Sequence, residues 1–256
     1  MTTSAIVRNV EYPHLKGFTL PGLIILHLLP GALLMLLMLL LAPQLKFIGL
    51  LPSLPVLFVF VAPLLVLGML GFLYFKGRQY NGRLSLRGIV LYRDKPVNWW
   101  QTIGIAMLLF TWLAFIWYVC KPALNRFFIT NFFSWMPNYL FDEQFMKNLS
   151  MYTPTTLRIL GVLFAISISL GGVVEELYFR GYLLPRMEFL GGWAPTINIL
   201  LFSLYHFWSP WENLARLLAM TPWIFAIWRT RNIYLALLVH FVINTFSGIS
   251  LLVMIW

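Results

Sequence analysis

Predominantly apolar stretches of about 20 residues or more recur along nearly the whole chain, at roughly 18–42, 47–75, 100–120, 157–190, 193–208, 213–229 and 232–254. A helix of that length spans the hydrocarbon core of a bilayer, about 30 Å, and a single soluble core has no room for seven such segments. With 61% hydrophobic and 10% charged residues, the chain leaves too little polar surface for water to be its solvent. The expected fold is an all-α polytopic transmembrane bundle of seven or eight spans. The eighth would come from the 47–75 run, which Pro52, Pro55 and Pro63 interrupt, giving a tilted helix or a helix plus a re-entrant piece. The aromatic stretch 127–141, broken by Pro137, reads as an interfacial segment. No internal repeat is visible.

The net charge of +10 sits in short segments flanking apolar runs rather than on a soluble face, which argues against nucleic acid as a partner and for topology signals and contacts with anionic lipids. With the N-terminus inside, the inner side holds Arg8, Lys16, Lys76, Arg78, Arg83, Arg87, Arg93, Lys95, Arg180, Arg186, Arg229 and Arg231. The outer side holds Lys46, Lys121, Arg126, Lys147, Arg158 and Arg216. The single cysteine, Cys120, excludes an intramolecular disulfide and any multi-cysteine metal site.

Of the eight acidic residues, Glu11, Asp94, Asp142, Glu143, Glu188 and Glu212 fall in tails, loops or span ends. Glu175 and Glu176 interrupt an apolar run, where a carboxylate costs about 2.5 kcal/mol or more on insertion scales. Arg180 follows Glu176 by four positions and can pair with it on one helical face. Glu175 points about 100° away with no local partner, so Glu176 reads as structural and Glu175 as reactive. His206, His240 and Asn244 lie in the two remaining polar interruptions, the last two sharing a helical face. Measured from Arg186, Trp193 and Arg231 as surface markers, Glu175 lies ~16 Å deep, His206 ~20 Å and His240 ~13 Å, all near mid-membrane. For either histidine alone, a bond across helices is an equally good account. His27, without polar company, is read as structural.

In this sequence Glu175-Glu176-Leu-Tyr-Phe-Arg180 is EExxxR, Phe202 to His206 is FxxxH, and His240 to Asn244 is HxxxN. Together these resemble the CPBP intramembrane proteases, the group that includes the CAAX prenyl endopeptidase, over about residues 155–250. The division is then a leading set of helices with a basic cytoplasmic loop over 1–150 and a catalytic region over 151–256. The resemblance implies that Glu175 and His206 activate a water against a peptide carbonyl while His240 and Asn244 stabilise the oxyanion, with Glu176, Arg180 and Phe202 in support. It leaves open a Zn2+ held by Glu175, His206 and His240, although the chain has no HExxH pair. The implied substrate is a peptide or membrane-protein segment. The expected location is a multi-pass protein of a prokaryotic plasma membrane, and by the charge count its site opens toward the cytoplasm. Rival readings are a catalytically silent scaffold or immunity protein, a proton-coupled transporter, and a lipid-modifying hydrolase.

Overall fold

The computed structural model describes residues 18–92 and 97–256, so the basic and acidic residues placed by sequence at 8, 11, 16 and 93–95 lie outside the described residues. The described chain is built from helices. The longer ones are α1 (Leu20–Leu45), α2 (Leu54–Asn81), α3 (the helical run Trp99–Phe133), α4 (Pro154–Glu175), α5 (Ala194–Tyr205), α6 (Asn213–Thr230) and α7 (Ile233–Ile255), with a two-turn helix Asp142–Asn148 between α3 and α4. Polar caps mark the starts. Thr19, Asn98, Thr153 and Asn232 each accept a first-turn amide, and Pro21, Pro154 and Pro195 occupy first-turn positions where a missing N–H costs nothing.

Five helical stretches are long and apolar enough to cross a bilayer, beginning at Leu20, Leu54, Trp99, Pro154 and Ile233. The seven or eight spans expected from the apolar runs are not reached by this measure. The stretch Pro154–Tyr205 would be about 78 Å long as one straight helix, but Gly191, at φ 56° and ψ −131°, breaks it between the two apolar runs. Beyond that break, α5 covers only about 18 Å before the chain leaves the helix at His206. The 47–75 run yields the single helix α2, with Pro52 outside it and Pro55 in its first turn, so no eighth helix arises there. The 127–141 segment is helical to Phe133, continuing α3, and its remainder holds a turn just before Pro137 and the short 3-10 turn Asn138–Leu140.

Helices without a hydrophobic drive between them pack through small residues and polar contacts. Helix α4 lies along α7 and α2. A Cβ on Gly161 would come within 2.5 Å of Ile255, and one on Gly248 within 2.6 Å of Ala165, so the α4–α7 backbones approach closely because those side chains are missing. Helix α3 is tied along its length to the last helices. Asn232 bonds Thr102 at one end (3.0 Å), Trp112 donates to the Leu218 carbonyl (3.0 Å), and Lys121 pairs with Glu212 further on (2.7 Å).

Prolines inside helices supply further joints, because each leaves the carbonyl four residues earlier without its amide. Pro30 frees the Leu26 carbonyl, and the Tyr178 hydroxyl donates to it at 2.8 Å. Pro222 frees Leu218, the acceptor of the Trp112 indole.

The chain after α2 folds back against the other helices. The Leu91 amide donates to the Gly181 carbonyl (2.8 Å), the Ile233 amide to the Tyr92 carbonyl (2.9 Å), and Arg186 to Ile89 (3.1 Å), while residues 89–92 are buried. This strap joins the segment after Glu175 to the start of α7. It also changes the charge reading, since Arg180, Arg186 and Arg216 are interior groups with internal partners rather than markers of a membrane face.

Candidate active site

The backbone changes character at the glutamate pair. Helix α4 ends at Glu175 and continues as a π-helical stretch from Glu176 to Leu183, a wider turn whose carbonyls also take bonds from outside it. Two of them find donors: Asn198 Nδ2 reaches the Phe179 carbonyl (3.2 Å) and the strap amide reaches Gly181. The same Asn198 amide donates to His27 Nε2 (3.0 Å), whose Nδ1–H is given to the Leu23 carbonyl (2.8 Å). His27 is therefore a structural link from α1 to this segment.

Glu176 and Arg180 are fully buried and form the ion pair that their spacing suggests, Oε1 to Nη1 at 3.4 Å. The guanidinium lies over the Phe202 ring, 3.9 Å from its centre, so the FxxxH phenylalanine is the seat of the EExxxR arginine. Glu176 has a second partner that the sequence did not announce: its Oε1 accepts from His240 Nδ1 at 2.8 Å. Trp223 of α6 stands edge-on to the His240 ring at 5.4 Å and holds it from the other side.

Glu175 is not alone either. Its Oε1 accepts from the Tyr205 hydroxyl at 3.1 Å, and its Oε2 faces His240 Nε2 across 3.8 Å, beyond hydrogen-bond reach. His240 thus stands between the two carboxylates. One turn further along α7, Asn244 donates to the Ile168 carbonyl (2.8 Å), and both side chains lie against Gly172 of α4.

His206 begins the irregular turn after α5. Its Nδ1–H closes the end of its own helix on the Phe202 carbonyl (2.8 Å), which leaves the lone pair of a neutral ring on Nε2. Its ring packs against Phe202, Tyr205 and Trp208. The structure therefore gathers Glu175, Glu176, Arg180, Phe202, His240 and Asn244 around α4 and α7. His206 is attached to them through Tyr205 and Phe202. Irregular backbone at membrane depth survives only where protein covers it, and Arg216 supplies the cover by bonding Ser209 (2.9 Å), Glu212 (3.0 Å) and Asn213 (2.9 Å) around this turn.

The zinc set is not assembled. Among the described residues, no three His, Cys, Asp or Glu side chains stand close enough to hold a metal ion. The Nδ1 atoms of His240 and His206 are taken by Glu176 and a backbone carbonyl, which leaves Nε2 as the ring nitrogen that a ligand would meet. Sequence reading missed Tyr205, Trp223, Gly172 and Arg216. Tyr205 had a signal in its place beside His206; Arg216 had one in its spacing from Glu212, four residues earlier.

A helical membrane protein with carboxylates, an imidazole and an amide gathered between two helices carries the polar groups that hydrolytic chemistry uses. Residues 156–246 match the family model Rce1-like, described as type II CAAX prenyl endopeptidase Rce1-like, and that stretch contains all three motifs, EExxxR, FxxxH and HxxxN. At family level this match supports a CAAX-type intramembrane protease. Comparison with curated proteins and with solved structures gives no match.

Proposed function

We propose that the protein is an intramembrane endopeptidase that hydrolyses a peptide bond with a water activated by Glu175 and His206. The observation that carries this is the state of Glu175: one oxygen anchored by Tyr205, the other directed at His240 with a gap too wide for a direct bond. Such a carboxylate keeps an acceptor for a water at a site bounded by its electrophilic partners. Water gives a proton to Glu175 as its oxygen bonds to the carbonyl carbon, with the Nε2 lone pair of His206 as the second acceptor. The C–N bond then breaks, and the proton passes to the leaving amine. His240 donates to the oxyanion through Nε2 as the imidazolium, since its Nδ1–H is already given to Glu176. The second amide hydrogen of Asn244 is the companion donor, the first being held by Ile168.

Exposed Arg78, Arg83, Arg87 and Arg229 support an orientation with the C-terminal end of α2 in the cytoplasm, where anionic lipid headgroups are their partners and toward which the site opens. The substrate class is a peptide or a segment of a membrane protein, and the setting a prokaryotic plasma membrane.

The test is cleavage of a quenched fluorescent peptide library and of a farnesylated CAAX peptide by purified protein in detergent, with and without a chelator. Cleavage lost in both Glu175→Ala and His206→Ala, and indifferent to chelator, is the expected result. Wild-type rates in either variant refute the water-activating pair, and loss of activity on chelation refutes the metal-free chemistry.

A further inference from the structure

Tyr205 has no place in the three motifs, yet it is the side chain that touches Glu175. Its ring is fully buried, packed between Phe179 (5.0 Å), His206 (4.8 Å) and Trp208 (5.4 Å). Its backbone is equally confined, because a Cβ on Gly31 of α1 would approach the Tyr205 carbonyl oxygen to 1.8 Å. The hydroxyl is therefore a fixed donor, unlike a surface tyrosine that swings to suit its acceptor.

The terminal torsion of a glutamate is soft and nearly two-fold, so the carboxylate turns toward whatever donors surround it. Two are in range. The Tyr205 hydroxyl takes Oε1 at 3.1 Å, and His240 Nε2 stands 3.8 Å from Oε2. Without the first, a rotation and a shift of less than an ångström would bring the carboxylate onto the imidazole as a direct ion pair. That pair would consume at once the acceptor meant for water and the donor meant for the oxyanion.

We infer that Tyr205 is a positioning residue that holds Glu175 away from His240 and so keeps the gap between them open to the reacting groups. The inference rests on Glu175 being the water-activating carboxylate. It adds that the residue before His206 sets the separation of base and oxyanion donor. The hydroxyl touches neither water nor substrate; it acts through Glu175.

Tyr205→Phe removes one oxygen and keeps the packed ring, so the variant is expected to fold, with an unfolding midpoint near that of the wild type. With the farnesylated CAAX peptide as probe, kcat should fall about tenfold or more, the loss expected for one hydrogen bond to a charged group, while KM stays within about twofold. Infrared spectra of full-length protein in proteoliposomes give a readout that needs no substrate. The carboxylate band that Glu175→Gln removes should be shifted in Tyr205→Phe. An unshifted band, or a kcat equal to wild type, overturns the proposal. Wild-type cleavage by Glu175→Gln would sink the reading of the site itself, and the infrared comparison would still decide whether Tyr205 holds Glu175.

Discussion

Replacing Gly172 by alanine adds one methyl group at the point where α4 meets both oxyanion candidates. The new Cβ would stand 2.7 Å from Asn244 Nδ2 and 2.8 Å and 3.1 Å from two atoms of the His240 ring. Carbon contacts settle near 3.5 Å, so the neighbours must retreat by roughly 0.7 Å. Neither is a loose side-chain end. Asn244 is bonded to Ile168 of α4 and His240 to Glu176, so relief has to come from a shift of α7 against α4. Overpacking of this kind costs about 1–3 kcal/mol, which lowers the unfolding temperature without preventing folding. Displacement of catalytic groups by close to 1 Å costs about 100-fold in rate. The neighbouring Gly171 provides the control, since a Cβ there meets nothing within 4 Å. Peptide cleavage should thus fall by between about 10- and 100-fold in Gly172→Ala and stay near wild type in Gly171→Ala, with thermal unfolding in detergent reporting stability. Equal rates for the two variants would refute the placement of His240 and Asn244 at the site.

Arg180→Ala strips the partner from a buried carboxylate and should cost about 3–5 kcal/mol, read as unfolding in detergent; a loss below about 1 kcal/mol would mean that Glu176 is balanced by His240 alone. Trp112→Phe should destabilise the protein by about 1 kcal/mol because it orphans the Leu218 carbonyl that Pro222 frees. In a Pro222→Ala background the helix can close its own bond, so the same substitution should cost less; a double-mutant cycle with no coupling would show that the indole is not serving that carbonyl.

Much of this architecture was legible because hydropathy reports burial in lipid directly. The gap between the runs ending at 190 and beginning at 193 falls at Gly191, where the helix breaks. The Glu176–Arg180 pair followed from helical spacing, and the shared face of His240 and Asn244 places both against Gly172. What spacing could not show were contacts between distant segments. Glu175 looked partnerless because Tyr205 arrives from another helix, and His240 was read without its bond to Glu176, 64 residues earlier. Hydropathy likewise says nothing of how a charge is used: Arg216 looked like a surface signal and is an internal brace. The apolar run 193–208 outlasts α5, which ends at Tyr205, because hydropathy does not mark where His206 turns its ring back onto the Phe202 carbonyl.

The joint between Pro30 and Tyr178 bears on how the chain is made. α1 precedes the glutamate-bearing segment by about 150 residues, so the Leu26 carbonyl is synthesised, and its helix inserted, long before Tyr178 exists. Until then α1 carries an unmet acceptor in a solvent that offers none. That acceptor is met when the segment after Glu175 packs on α1, so one missing amide ties the first helix to a part of the chain made about 150 residues later.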